Sequence, residues 1–138
     1  MQVQVNYEGG LQFQAIARNH VIWGDQPRDG GGSDKGMTAI EWFLAALGSC
    51  VGCDVIKYCQ ARDVNATGLS IQIDAKKVSH PARLDEIAIH VTLPIALNED
   101  HYEGLEDTVN ACLLRNTLIH SPKITTQITA GFIASSTI

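Results

Sequence analysis

The chain has 138 residues, 45% of them hydrophobic and 18% charged, with a formal net charge of −5. That length suits a single domain over 1–138, and the composition is too apolar for a disordered chain. A net negative chain whose only basic patch is the short Ala-Lys-Lys at 75–77 is not expected to partner nucleic acid or an anionic membrane.

From the N-terminus, VQVNYEG at 3–9 and LQFQAIA at 11–17 alternate apolar with polar about a Gly-Gly pair, which predicts a hairpin. HVIWGD at 20–25 predicts a third strand. QPRDGGGSDKG at 26–36 is polar and glycine-rich and is expected to form a mobile loop; it lacks the Gly-Lys-Ser/Thr of a phosphate-binding loop. A long helix follows. Thr38 and Glu41 have the spacing of a capping box, and residues 42–56 are almost wholly apolar, so the helix is expected to be buried on most sides. Ala45, Ala46, Gly48, Ser49 and Gly52 are small enough to admit another backbone. The two glycines cost about 1 kcal/mol each against alanine, which close packing would offset.

After a break at RDVNATG, LSIQIDAKKV at 69–78 and LDEIAIHVTLPI at 84–95 predict a long antiparallel hairpin. A second helix is expected over 99–114, capped by Asn98, with Tyr102, Leu105, Val109, Cys112 and Leu113 as its apolar stripe. KITTQITAGFI at 123–133 predicts a last strand. The order predicts an α+β domain, and the excess apolar surface of the long helix points to a symmetric homodimer.

Three of the four cysteines, 50, 53 and 59, lie in the first helix; the fourth is Cys112. Four are too few for a disulfide scaffold. With a strand-like rather than leader-like N-terminus and no uninterrupted run of about 18 apolar residues, the expected location is cytoplasmic, without a membrane partner. Each cysteine can be read as a small core residue. Cys50 and Cys53 also form a Cys-x-x-Cys, but that pair works at a helix N-terminus and here it is mid-helix. Cys53 is read as a core or dimer-packing residue, and Cys59 as partly exposed near the helix end. His20, His80, His90, His101 and His120 show no metal-ligand spacing, so neither metal nor cofactor is expected.

The run AIEWFLAALGSC, ending at Cys50, together with NACLLRNTL around Cys112, resembles the OsmC/Ohr family nearly end to end. The resemblance implies an α+β homodimer of intertwined subunits, with antiparallel sheets wrapped around long central helices and active sites at the interface. It also implies a stress-response peroxidase for organic hydroperoxides. Cys50 would be the attacking thiol, oxidised to a sulfenic acid, and Cys112 would resolve it to a Cys50–Cys112 disulfide that an external dithiol reductant reopens.

The chain departs from the family pattern at Ala39, where proline is usual, and at Ile40, where the catalytic glutamate of the peroxide reductases would fall. Glu41 lies one position later, about 100° round the helix, so it is open to two roles: the helix cap, or orienting an arginine over the thiolate. A buried Cys50 would be inert without a cation. The helix N-terminus lies about 18 Å away and is too distant to help. Arg28 in the glycine-rich loop is the expected partner and Arg18 the alternative. An unpaired carboxylate at Asp54, one turn after Cys50, would disfavour a thiolate, so Asp54 is expected to face a polar partner. Trp42 and Phe43 could line an apolar peroxide pocket or simply pack. The alternative function is a non-enzymatic or small-ligand-binding homodimer of the same fold.

Overall fold

The computed structural model describes residues 1–131. Strands β1 (Gln4–Gly9), β2 (Gln12–Ala17) and β3 (His20–Gly24) form an antiparallel sheet in that order. Val5 pairs with Ala15, and Ala15 with Ile22. The first turn is made by Gly9 and Gly10, with φ of 106° and 57°, a region open to glycine without steric cost. Helix α1 (Ala39–Ala61) follows the glycine-rich loop, then strands β4 (Ser70–Ser79) and β5 (Ala82–Thr92) form a second antiparallel sheet, with Ile73 opposite Ile89. Helices α2 (Glu99–Asn110) and α3 (Leu113–Ile119) complete the described elements.

The capping box at the start of α1 is present. Thr38 Oγ1 accepts from the Glu41 N–H at 3.2 Å, and the Glu41 carboxylate accepts from the Thr38 N–H at 2.7 Å. Two of the first four orphan donors are thereby satisfied. Leu47, Val51, Val55 and Tyr58, a stripe at helical spacing, form the centre of the core with Cys59, Leu105 and Cys112. The β4 isoleucines 71 and 73 close over α1 where Gly48 and Gly52 leave room; a Cβ on Gly48 would lie 3.3 Å from Ile73 Cγ1. The small residues of α1 thus admit isoleucine side chains within this chain.

Several expectations need correction. The α1 helix is buried on one face, not on most sides: Phe43, Ala45, Ala46, Ser49 and Cys53 are exposed. By length and composition alone α1 would qualify as a membrane span, although its buried face packs on β4, α2 and α3. Strand β5 begins at Ala82 and stops at Thr92 rather than running over 84–95; Pro94 has no N–H to continue a ladder. The helix expected over 99–114 is two helices, with Ala111 and Cys112 between them. Tyr102 and Leu113, placed in its apolar stripe, are 65% and 68% exposed.

The last strand, expected over 123–133, is not formed within the described residues up to 131, and Ile124 and Ile128 are 84% and 87% exposed. Among the described residues its alternation pairs with no edge of either sheet, and a strand without a partner is not stable. Residues 132–133 lie outside the described part.

The glycine-rich loop is not free. It contains a 3-10 turn at Arg28–Gly30 and wraps round the buried Asp25, whose carboxylate accepts from the N–H groups of Gln26 (2.7 Å), Ser33 (3.1 Å) and Lys35 (3.2 Å). Burial alone would raise the Asp25 pKa. The three backbone donors and the nearby Lys35 ammonium outweigh it and hold the carboxyl below its ordinary range.

Candidate active site: a thiol pair beside a carboxylate

Helix periodicity sets the first half of the site. Cys50 and Asp54 are i and i+4 on α1, so both side chains leave the same face. The break between α2 and α3 sets the second half. Cys112 is the N-cap of α3, with φ −54° and ψ 132°, and the chain leaves helical geometry there. Its N–H reaches back to the Val109 carbonyl at 3.2 Å while its own carbonyl accepts from Asn116 at 2.9 Å, so both backbone groups stay satisfied through the break. The result is a convergence of three side chains. The sulfurs of Cys50 and Cys112 and a carboxylate oxygen of Asp54 all lie within 4.8 Å of one another.

The two thiols differ in environment. Cys50 is half-buried, whereas Cys112 is fully enclosed in the core. Burial pushes the Cys112 thiol up, and its contact with Cys50 adds to the shift; the N–H groups of Arg115 and Leu114 at the start of α3 offset only part of it. Cys112 is therefore held as a thiol at neutral pH while Cys50 faces the route from solvent. All four cysteines are free.

Of the other candidate residues, Glu41 is spent at the N-terminus of α1, about 13 Å along the helix from Cys50. Hydrogen bonds to Thr38 lower its pKa below the ordinary glutamate value. Arg28 opens the exposed 3-10 turn, and Arg18 lies in the β2–β3 turn at φ 54°. Among the described residues neither makes a side-chain hydrogen bond or ion pair to Cys50. The charged side chain that the fold brings to the thiols is Asp54. Its recorded polar partner is Lys57, 3.8 Å away and itself 76% exposed. The signal for Asp54 was its i+4 spacing from Cys50, but only the position of Cys112 shows that the carboxylate faces both sulfurs.

The remaining cysteines fall outside the cluster. Cys59, expected to be partly exposed, has no exposed surface, because Val64 and Arg62 fold back and bond its carbonyl; burial raises its pKa and leaves it inert. Cys53, expected in a packed setting, is exposed in this chain.

Two open grooves lie along α1. One, of about 760 Å³, runs along α1 past Gly48, Gly52, Cys53, Ile71 and Ile73, and neither Cys50 nor Cys112 lines it. The other, of about 410 Å³, is lined by Ala39, Ile40, Phe43, Leu84, Ile87 and Leu118, all apolar. It is the smaller of the two, and the cysteines do not line it either, but it touches both helices that carry them. Phe43 lies two turns before Cys50 on the same face of α1, and Leu118 belongs to the helix that Cys112 caps. Trp42, its neighbour, instead packs under β3: a Cβ on Gly24 would come 2.8 Å from the Trp42 ring.

The model of the OsmC-like protein family matches residues 31–127. Solved structures with the same fold include an OsmC-like protein from Mycoplasma pneumoniae, at 20% identity over 87% of each chain with a TM-score of 0.74. A protein ascribed to the osmotic-stress and detoxification response of Psychrobacter arcticus matches at 20% identity and a TM-score of 0.78, over 85% of this chain and 87% of that one. An organic hydroperoxide resistance protein from Elizabethkingia anophelis matches at 14% identity and a TM-score of 0.65, over 88% and 90%. No curated protein matches.

Proposed function

This chain belongs to the OsmC-like family, and on that premise we propose that it is a thiol peroxidase for organic hydroperoxides. The observation that carries the reading is the pair of free sulfurs from two different helices within 4.8 Å, one reachable from solvent and one enclosed. Cys50 attacks the outer peroxide oxygen; the O–O bond breaks, an alcohol leaves, and Cys50 becomes a sulfenic acid. The Cys112 thiol then attacks that sulfur, expelling water and forming the Cys50–Cys112 disulfide. Sulfurs at most 4.8 Å apart must approach to about 2 Å, a movement that the short, half-exposed α3 can supply. An external dithiol returns both cysteines to thiols, which suits a reducing compartment such as the cytoplasm. The apolar groove at Phe43 favours a hydroperoxide with a hydrocarbon body over hydrogen peroxide.

A homodimer accompanies this reading. Its support is the exposed apolar surface on the first sheet (Val5, Tyr7, Phe13, Ile22), the open face of α1, and the unpaired alternation at Ile124 and Ile128. In the dimer the residue activating Cys50 is an arginine, with Arg28 of the glycine-rich loop the candidate and Arg18 of the β2–β3 turn the alternative, and Glu41 orients it if it leaves its cap.

A second reading is favoured by one specific observation: the charged group at the thiols is a carboxylate rather than a guanidinium. On that reading the protein is a non-enzymatic, small-ligand-binding homodimer. Peptide mapping after one equivalent of cumene hydroperoxide separates the two. Peroxidase chemistry removes two thiols and links Cys50 to Cys112, and in Cys112→Ala it stops at a Cys50 sulfenic acid. If Cys50 stays reduced under several equivalents, the peroxidase reading fails.

A further inference from the structure

We propose that Cys50, Asp54 and Cys112 form a three-ligand site for a thiophilic divalent cation of the zinc class, taken up by the reduced protein. The donors are of the right kind: two sulfurs that bind as thiolates and one carboxylate oxygen. Their placement is also right. The i, i+4 pair Cys50 and Asp54 presents two ligands from one helix face, and Cys112 supplies the third from the start of another helix. Both helices are anchored in the core, through Val51 and Val55 on one side and Cys112 itself on the other.

Distances favour a cation over the alternatives. Bonds of about 2.3 Å to sulfur and about 2.0 Å to oxygen put tetrahedral ligand atoms roughly 3.3–3.8 Å apart. The three donor atoms, now within 4.8 Å of one another, therefore need to contract by only about 1 Å, a smaller adjustment than closing a disulfide requires. Asp54 is the residue that distinguishes this site from a bare dithiol. Among the described residues it accepts no hydrogen bond, and its ion pair with the exposed Lys57 spans 3.8 Å. A partly buried carboxylate turned towards two sulfurs gains a counter-charge when a cation arrives.

Binding converts two thiols to thiolates and releases two protons. Three anionic ligands around a 2+ ion leave a single negative charge, and the half-buried side of Cys50 and Asp54 leaves the fourth position to water. The site requires the reduced state, so the cation and oxidation of the pair compete for the same two sulfurs.

The test uses the full-length reduced protein and does not depend on peroxide turnover. Zinc chloride is titrated against a chromophoric chelator, with proton release followed in weak buffer, and cobalt chloride serves as a spectroscopic probe of thiolate ligation. One ion per chain, two protons released and a sulfur-to-cobalt charge-transfer band are expected. Asp54→Asn should weaken zinc binding at least about tenfold, Cys50→Ser and Cys112→Ser should abolish the site, and Cys53→Ser should leave it unchanged. Linking Cys50 to Cys112 with diamide should also abolish it. Because Cys112 is a core residue, Asp54→Asn and the wild-type cobalt spectrum decide the matter if Cys112→Ser does not fold. No stoichiometric binding, binding retained in Cys50→Ser, or wild-type affinity in Asp54→Asn would overturn the proposal.

Discussion

Gly104 offers a perturbation whose sign the structure determines against simple helix propensity. In an exposed helix, Gly→Ala gains about 1 kcal/mol. Gly104, however, is the point where α2 rides over Tyr58 of α1. A Cβ there would lie 2.7 Å from both Cε2 and Cζ of Tyr58, with the phenol oxygen closer still. Tyr58 has little freedom to yield. The residue is 8% exposed, the Arg62 guanidinium stacks 4.1 Å above its ring, and its hydroxyl lies 3.3 Å from His101 Nδ1. Overpacking of this kind costs about 1–3 kcal/mol, and losing the tyrosine–histidine hydrogen bond costs about 0.5–1.5 kcal/mol more. Against the propensity gain, Gly104→Ala should be destabilising by about 1–3 kcal/mol net.

Urea denaturation at a fixed protein concentration measures it as a lower midpoint at unchanged slope. The same substitution in a Tyr58→Leu background, where the ring is gone, should reverse sign and stabilise. Lifting α2 from α1 should also speed alkylation of Cys112, since α2 leads directly into it. If Gly104→Ala is as stable as wild type while Tyr58 is present, the inferred clash does not govern the α1–α2 contact.

The Asp25 carboxyl, held below its ordinary pKa, contributes loop stability that is present above the unfolded value near 3.9 and lost as pH falls through the lower folded value. Amide exchange at Ser33 and Lys35 should therefore accelerate only in strongly acid solution, and Asp25→Asn should remove that pH step; acceleration already at pH 6 would contradict the arrangement. Alkylation of the four thiols should rank Cys53 ahead of Cys50, with Cys59 and Cys112 at least about tenfold slower because they need local opening. If α1 pairs with a second copy, Cys53 should be shielded at high protein concentration and freed on dilution, and mass mapping of a dilution series checks both orders.

Much of this protein can be read from its residues because the signals are local. The Thr38–Glu41 spacing sets the start of α1, since both halves of the capping box lie within one turn. Period-two alternation marks β1, β2, β4 and β5, since their side chains must sort to two faces. The family motif around Cys50 and Cys112 marks the same two cysteines that the fold brings together.

Other features depend on contacts between residues distant in the chain. Nothing in EDTVNACLLRN breaks a helix; the break at Cys112 follows from docking that thiol against α1, where core burial outweighs a continuous helix. Asp25 is one acidic residue among many until the loop to Lys35 turns its amides inward. The alternation around Ile124 is a true strand pattern, but a pattern states only which faces a strand would have. Whether it pairs depends on docking against an edge, and among the described residues it docks against none of the edges of the two sheets. Likewise, the apolar excess of α1 is written in its composition, while only the packing of Ile71 and Ile73 over Gly48 and Gly52 decides which face is covered and which is left for another surface.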